Sequence, residues 1–125
     1  MKRFTLLLVL VVAGTAAAKG YVDNKKTATH DCSKDPEAMV TGNENTITFT
    51  GACSRISADG NENKLKIESV KVLDVRGNKN SITVDAVDVI NASGNKNTVT
   101  WTKGITEKRP TVSTPGNGNK IGAPK

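Results

Sequence analysis

The fold is decided by a nine-residue stretch, Gly60-Asn61-Glu62-Asn63-Lys64-Leu65-Lys66-Ile67-Glu68. Its first four residues are typical of a tight corner, because glycine and asparagine tolerate left-handed backbone conformations better than other residues. The five residues that follow alternate between polar and apolar side chains, which is the period of a strand with one buried face. The stretch therefore predicts a turn followed by a half-buried strand.

The same Gly-Asn-x-Asn turn recurs along the chain. It begins at Gly42, Gly60, Gly77, Gly94 and Gly116, so the spacings are 18, 17, 17 and 22 residues. An alternating polar-apolar segment follows each of the first four turns, which are Gly42-Asn43-Glu44-Asn45, Gly60-Asn61-Glu62-Asn63, Gly77-Asn78-Lys79-Asn80 and Gly94-Asn95-Lys96-Asn97. A fixed period of this length indicates an architecture in which each repeat is one structural unit.

The second half of each repeat is also apolar and aligns between repeats. The matched columns, after a single one-residue insertion in the first repeat, are Cys53, Arg55, Ile56 and Ala58; Val70, Val72, Leu73 and Val75; and Val87, Val89, Ile90 and Ala92. Such columns favour a solenoid, in which equivalent residues of successive coils stack, over a meander of antiparallel hairpins. An inward ridge of Ile47, Leu65, Ile82 and Val99 follows from the same stacking.

We therefore predict an all-β, single-domain parallel β-solenoid, or β-helix, with about four coils of about 17 residues each. A right-handed winding is favoured over a left-handed one, since parallel crossover connections are almost always right-handed.

The asparagines of successive turns are predicted to form a structural ladder together with the turn glycines. Equivalent residues of neighbouring strands lie about 4.8 Å apart, which is within reach for hydrogen bonds from coil to coil. Buried amides without such partners would each cost about 1 to 3 kcal/mol. The two columns of the ladder are Asn43, Asn61, Asn78 and Asn95, and Asn45, Asn63, Asn80 and Asn97.

Both ends of a solenoid need cover, because an open strand edge can pair with another chain. We expect residues 19–41 to form an N-terminal cap and residues 42–102 to form the solenoid repeats. Residues 103–125 are then a C-terminal extension with a partial fifth repeat. The prolines at positions 110, 115 and 124 are expected to blunt the open edge.

Residues 1–18 have the three regions of a signal peptide. Lys2 and Arg3 are followed by an apolar stretch over residues 4–13 and by the small residues 16–18. An uncleaved membrane anchor is the alternative, but the apolar stretch is shorter than the roughly 20 residues that span a bilayer. Cleavage would leave an exported periplasmic or extracellular chain that starts at Lys19 and has no membrane span.

Export favours a disulfide between the two cysteines, Cys32 and Cys53, because disulfides persist in oxidising compartments. The bond would tie the N-terminal cap to the first full coil. It should stabilise the fold by roughly 3 kcal/mol through the smaller entropy of the unfolded chain. A pair of free buried thiols is the alternative.

Residues that could carry chemistry are scattered, so the sequence predicts no catalytic, cofactor or metal site. The sole histidine, His30, is expected to be a solvated residue of the cap. Calcium at the turns is disfavoured, because Lys79 and Lys96 stand where earlier turns have Glu44 and Glu62. We expect no cofactor.

The charge balance does not indicate a nucleic-acid partner. The formal net charge is +6, of which Lys2 and Arg3 contribute two, and the remaining basic residues are spread along the chain. Nucleic-acid sites concentrate basic residues on one face together with stacking groups. Neither Trp101 nor Tyr21 has a basic cluster beside it in the sequence.

The cysteine pair around the first repeat and the tandem Gly-Asn-x-Asn turns with Thr-rich strands resemble a bacterial family of proteins of unknown function numbered 3060. The resemblance covers roughly Cys32 to Trp101. It implies a secreted or envelope-associated protein, and it carries over no catalytic residue because the family has no established activity. The extended fourth repeat and the truncated fifth depart from the pattern.

From this combination we expect a non-enzymatic structural or binding module of the cell envelope or secretome. Its partner would be a glycan or a protein, and self-association through the solenoid ends is a further expectation to test. The alternative is a small enzyme or accessory factor that acts on cell-surface polysaccharide.

Overall fold

A computed structural model describes residues 19–114 and 116–122. The predicted signal peptide and the prolines at positions 115 and 124 lie outside the described residues. Within them the regular elements are strands, namely β1 Lys19–Tyr21, β2 Thr27–Asp31, β3 Glu37–Val40, β4 Thr46–Ala58, β5 Lys64–Val75, β6 Ser81–Ala92, β7 Thr98–Lys103, β8 Thr111–Ser113 and β9 Lys120–Gly122.

The strands pair in parallel and form one continuous stack. The main path of the sheet runs β1-β3-β4-β5-β6-β7-β9, while β2 pairs with β4 and β8 pairs with β6. Each long strand, β4 to β6, contains both halves of one coil, so pairing of equivalent strands winds the chain into about five stacked turns. The predicted parallel β-solenoid is confirmed, and the handedness stays a prediction.

The register follows the sequence repeat. Ile47 pairs with Leu65, Leu65 with Ile82, and Ile82 with Val99. Between Phe49 and Ala52 the pairing of β4 with β5 shifts. Gly51 occupies this irregularity with a φ of 82°, so the one-residue insertion predicted in the first repeat is a glycine bulge.

The core consists of stacked apolar columns, with Ile47, Leu65, Ile82 and Val99 all at 3 % exposure or less. One predicted inward column was wrong. Arg55, Val72 and Val89 stack in register, but Arg55 is exposed and the two valines are half-buried. Between the buried residues Val70 and Leu73, Lys71 is exposed and Val72 is half-buried, so the strict alternation of the strand is interrupted at this position.

Residues 19–41 continue the solenoid by a further coil. Strand β2 pairs with the first half of β4, strand β3 pairs with its second half, and β1 pairs with β3. The region expected to be a cap therefore uses the same parallel pairing as the repeats that follow it.

The longer fourth repeat is accommodated by a loop over residues 104–110, between β7 and β8. Asp88 fixes the loop, because its carboxylate accepts hydrogen bonds from the Ile105 and Thr106 N–H groups and from the Thr106 hydroxyl. These bonds, above all that from the Thr106 N–H, lower the pKa of Asp88 from its ordinary value. The Arg109 guanidinium lies 5.8 Å from the centre of the Trp101 ring, which is the distance of a cation–π contact.

Candidate functional site

The third residue of each turn has the left-handed backbone. The φ angle is 56–58° at Glu44, Glu62, Lys79 and Lys96. In the last turn this position is Gly118, with a φ of 69°. The prediction that the leading glycine and the asparagines adopt this conformation was wrong.

The leading glycines are required for a different reason, which is the close approach of successive coils. A Cβ atom built on Gly60 would lie 1.6 Å from the carbonyl oxygen of Gly42 in the preceding coil. The corresponding distance for Gly77, to the carbonyl oxygen of Gly60, is 1.5 Å. No side chain fits there, so each glycine allows the backbones of two coils to stack.

The second asparagine of each turn, which we call the inner asparagine, forms hydrogen bonds with the backbone of the preceding coil and is buried in the first four turns. The exposed fraction is at most 1 % for each of Asn45, Asn63, Asn80 and Asn97. The Asn80 Nδ2 donates to the Gly60 carbonyl at 3.0 Å, and the Asn80 Oδ1 accepts from the Asn63 N–H at 2.9 Å. One amide thereby satisfies two buried backbone groups that would otherwise lack partners.

The first asparagine of each turn, which we call the outer asparagine, belongs to a second ladder of hydrogen bonds on the surface. The Asn61 Oδ1 accepts from both the Asn78 N–H, at 3.0 Å, and the Asn78 Nδ2, at 3.1 Å. Asn43 makes the same contacts with Asn61, and Asn78 makes them with Asn95. Because Asn78 is exposed, it does not belong to the buried ladder, which contains Asn80 instead.

A further turn over residues 23–26 precedes the first Gly-Asn-x-Asn turn, and the sequence reasoning missed it. Lys25 has a φ of 57°, as the third residues of the later turns do. The Asn24 Oδ1 accepts from the Asn43 N–H at 2.8 Å, which places Asn24 in the outer ladder. The signal that could have revealed this turn is Asn24 followed by the alternating polar residues of β2.

The predicted disulfide is present between Cys32 and Cys53, whose Cα atoms are 5.0 Å apart. Both residues are 2 % exposed. Cys53 stacks on Val70, so the cystine continues an inner column towards the N-terminal end of the stack.

His30 is buried in the first coil, so the prediction of a solvated residue was wrong. It is 3 % exposed and stacks in register with Phe49. Its Nε2 lies 2.7 Å from the Asp35 carbonyl oxygen, which can only accept, so this nitrogen carries the proton. Its Nδ1 accepts from the Tyr21 hydroxyl at 2.8 Å, and both ring nitrogens are occupied by structural contacts.

The tyrosine in this pair keeps its proton. Burial, followed by the negative charge of Asp35, raises the pKa of Tyr21 above its ordinary value. A protonated hydroxyl is what the Nδ1 of His30 needs as a donor. The Tyr21–His30 pair therefore packs against the core of the first coil.

Asp74 lies between the core residues Leu73 and Val75 in the second half of the coil, and its carboxylate is buried. Its side chain is 7 % exposed, and Arg55 donates to Oδ2 at 2.9 and 2.6 Å while Asn91 donates to Oδ1 at 2.9 Å. Burial favours the neutral carboxyl, but the hydrogen bonds from Asn91 and Arg55 outweigh it and lower the pKa of Asp74. The carboxylate is thus saturated by neighbouring coils.

The outward side of the first strand segment presents two rows of hydroxyl and ammonium groups. We call this surface the threonine–lysine face. Its first row is Thr27, Thr46, Lys64, Ser81, Thr98 and Lys120, and its second is Thr29, Thr48, Lys66, Thr83 and Thr100. These two rows contain no carboxylate, and an open groove of about 510 Å³ runs between them.

Carboxylates border this face on two sides. On the side of the turns, Glu44 and Glu62 line a groove with Thr46 and Lys64, and on the other side lie Glu68 and Asp85. Glu68 and Asp85 occupy equivalent positions of neighbouring coils, beside the paired residues Ile67 and Val84. The two acids line a smaller groove of about 270 Å³, and the Glu68 Oε1 accepts from the Gly51 N–H at 2.9 Å. In the described part of the chain no three histidine, cysteine, aspartate or glutamate side chains are grouped to hold a metal ion.

One protein family matches the chain. The family model, described as a protein of unknown function (DUF3060), matches residues 40–81 and 70–118. Neither a curated protein nor a solved structure matches the chain.

Proposed function

Because the chain belongs to the DUF3060 family, whose members have no assigned activity, we propose a function from its surface. The protein is a non-enzymatic exported module that binds an anionic polysaccharide along the threonine–lysine face. The observation that carries this proposal is the pair of lysines, Lys64 and Lys66, within hydroxyl rows that contain no carboxylate.

The chemistry of this face suits an extended glycan. Successive coils repeat the hydroxyl and ammonium donors at steps of about 4.8 Å, so a linear polymer can meet several donors at once. The donors stand on paired strands and need little ordering when a ligand binds, which lowers the cost of association. Ammonium groups next to hydroxyl groups favour carboxylate- or sulfate-bearing sugars over neutral ones.

A groove of about 770 Å³ along the outer asparagine ladder is the larger concave surface, but it suits an anionic polymer less well. Its outer amides already bond to one another.

Export of the module is supported by the buried disulfide, which is typical of proteins from oxidising compartments. Among residues 19–114 and 116–122 no helix is long and apolar enough to cross a bilayer.

The test is a binding assay with a polyuronate and with neutral dextran at low ionic strength. We expect the protein to bind the polyuronate and not the dextran. The double variant K64Q/K66Q should bind about tenfold more weakly, a change of about 1.4 kcal/mol. The matched control K79Q/K96Q removes the same charge from the turns and should bind as the original protein does.

Two results would contradict the proposal. One is the absence of polyuronate binding by the original protein, and the other is an equal loss in both double variants. Equal loss would mean that only the net charge of the protein matters.

A polysaccharide-cleaving enzyme is the second candidate, and the paired carboxylates Glu68 and Asp85 are the observation that favours it. Two carboxylates beside a groove are the arrangement that glycoside hydrolysis uses. If the protein releases reducing ends from the bound polyuronate, and E68Q or D85N abolishes this release, the protein is an enzyme rather than a binding module.

A further inference from the structure

The two ends of the solenoid differ in a way that bears on self-assembly. The C-terminal end shows a complete turn, Gly116 to Asn119, which stacks on the coil before it as the other turns do. The N-terminal end shows a turn over residues 23–26 that has Asp23 in place of the glycine and Lys26 in place of the inner asparagine.

We propose that Asp23 and Lys26 block the head-to-tail stacking of a second copy of this chain. In such a stack the last turn of one copy would lie before residues 23–26 of the next, as Gly94 to Asn97 lie before Gly116 to Asn119 within one chain.

Asp23 blocks the stack by its Cβ atom. Every later turn has glycine at this position, and a Cβ built on Gly42 would lie 1.8 Å from the Asp23 carbonyl oxygen. For Gly116 the distance to the Gly94 carbonyl oxygen is also 1.8 Å. With the same geometry, the Cβ of Asp23 would collide with the Gly116 carbonyl of a preceding copy.

Lys26 blocks the stack because it has no amide. The inner asparagine of each later turn bonds backward to the preceding coil, as when the Asn45 Nδ2 donates to the Asp23 carbonyl at 2.7 Å and its Oδ1 accepts from the Lys26 N–H at 2.9 Å. A stacked Lys26 would leave the Gly116 carbonyl and the Asn119 N–H without partners. Both groups would be buried without a hydrogen bond, which disfavours the stacked arrangement.

The remaining features of the first turn match the others. Lys25 has the left-handed φ of 57°, and the Asn24 Oδ1 already accepts from the Asn43 N–H of the next coil. The Lys26 Nζ lies 3.2 Å from the Asp23 Oδ2, and this ion pair is exposed on the end of the stack. Two substitutions, at Asp23 and Lys26, would therefore give this turn the residues on which another turn can stack.

The experiment compares two double variants by sedimentation velocity, with each protein purified after export and its N-terminus read by mass spectrometry. D23G/K26N should form multimers whose size increases with concentration. D23A/K26N restores the amide but keeps the Cβ atom, so it should remain monomeric, as should the original protein. The single variant D23G should associate more weakly than D23G/K26N.

Circular dichroism and melting curves establish that each variant is folded. The proposal is overturned by a folded D23G/K26N that stays monomeric, or by association of D23A/K26N equal to that of D23G/K26N.

Discussion

The two asparagines of a single turn have different roles, although they are the same residue type two positions apart. Asn80 is buried and bonds to Gly60 and Asn63 of the preceding coil and to Asn97 of the next. Asn78 bonds to Asn61 at the surface, where water can replace its contacts. The difference arises from orientation, because the left-handed residue between them turns one side chain inward and the other outward.

Replacing Asn80 by Ala should therefore lower the free energy of unfolding by about 3 kcal/mol, since it leaves the Gly60 carbonyl and the Asn63 N–H buried without partners. Replacing Asn78 by Ala should cost less than about 1 kcal/mol, because the groups it releases are hydrated. Urea denaturation of both variants measures the difference. Equal losses would mean that burial does not distinguish the two ladders.

At the scale of elements, the turn is the place where coils come closest. The glycine carbonyl of one coil lies under the glycine of the next, and the inner asparagine fills the space beside it. A strand can tolerate many side chains on its outward side, as the change from Thr46 to Lys64 to Ser81 shows. The turn tolerates none at its first position where a coil precedes it, and among the described residues no coil precedes Asp23.

Gly60→Ala tests this packing. The new methyl group would meet the Gly42 carbonyl oxygen at 1.6 Å, so the two coils must separate and we expect a loss of more than about 3 kcal/mol in the free energy of unfolding. Gly20→Ala is the control, because nothing lies within 4 Å of its added Cβ. It should change stability by less than about 0.5 kcal/mol. A small effect of Gly60→Ala in thermal melts would contradict the close approach.

The sequence predicted the elements that are marked by a local motif, and it missed those that depend on contacts with another coil. Strand alternation and the spacing of Gly-Asn-x-Asn turns predicted β4 to β7 and their register, including one extra residue in the first repeat, which the structure places at Gly51. The turn at Asp23 was missed because its glycine and inner asparagine are needed only where a coil precedes. His30 was misplaced for the same reason, since its burial depends on a coil that the repeat motif does not mark.

The candidate site was only partly visible in the sequence. The residues of the threonine–lysine face could be identified as outward strand positions. The charge and hydrogen-bonding groups of the face depend on which repeats are neighbours. The register places Lys64 and Lys66 between the hydroxyl groups of the two adjacent coils, which are those of Thr46, Thr48, Ser81 and Thr83. The acids Glu68 and Asp85 are spaced like any other outward pair, and the register alone makes them neighbours.

For the whole molecule, stability should vary along the stack, because each coil contacts only its neighbours. The central strands β4, β5 and β6 are paired on both sides. The N-terminal coil is joined to them by the disulfide and by the Tyr21–His30 pair. The C-terminal strands β8 and β9 have three residues each, and Val112 in β8 remains 42 % exposed.

Native-state hydrogen exchange should therefore show the highest amide protection in β4 to β6 and the lowest in β8 and β9. Replacing Cys32 and Cys53 by Ala removes a cross-link over a sequence separation of 21 residues, which should lower the free energy of unfolding by roughly 3 kcal/mol. Because nearest-neighbour contacts limit how far the effect spreads, the lost protection should be concentrated in β1 to β3, while β8 and β9 exchange as before. A uniform loss across all strands would show instead that the solenoid unfolds as one cooperative unit and that its ends are not independent.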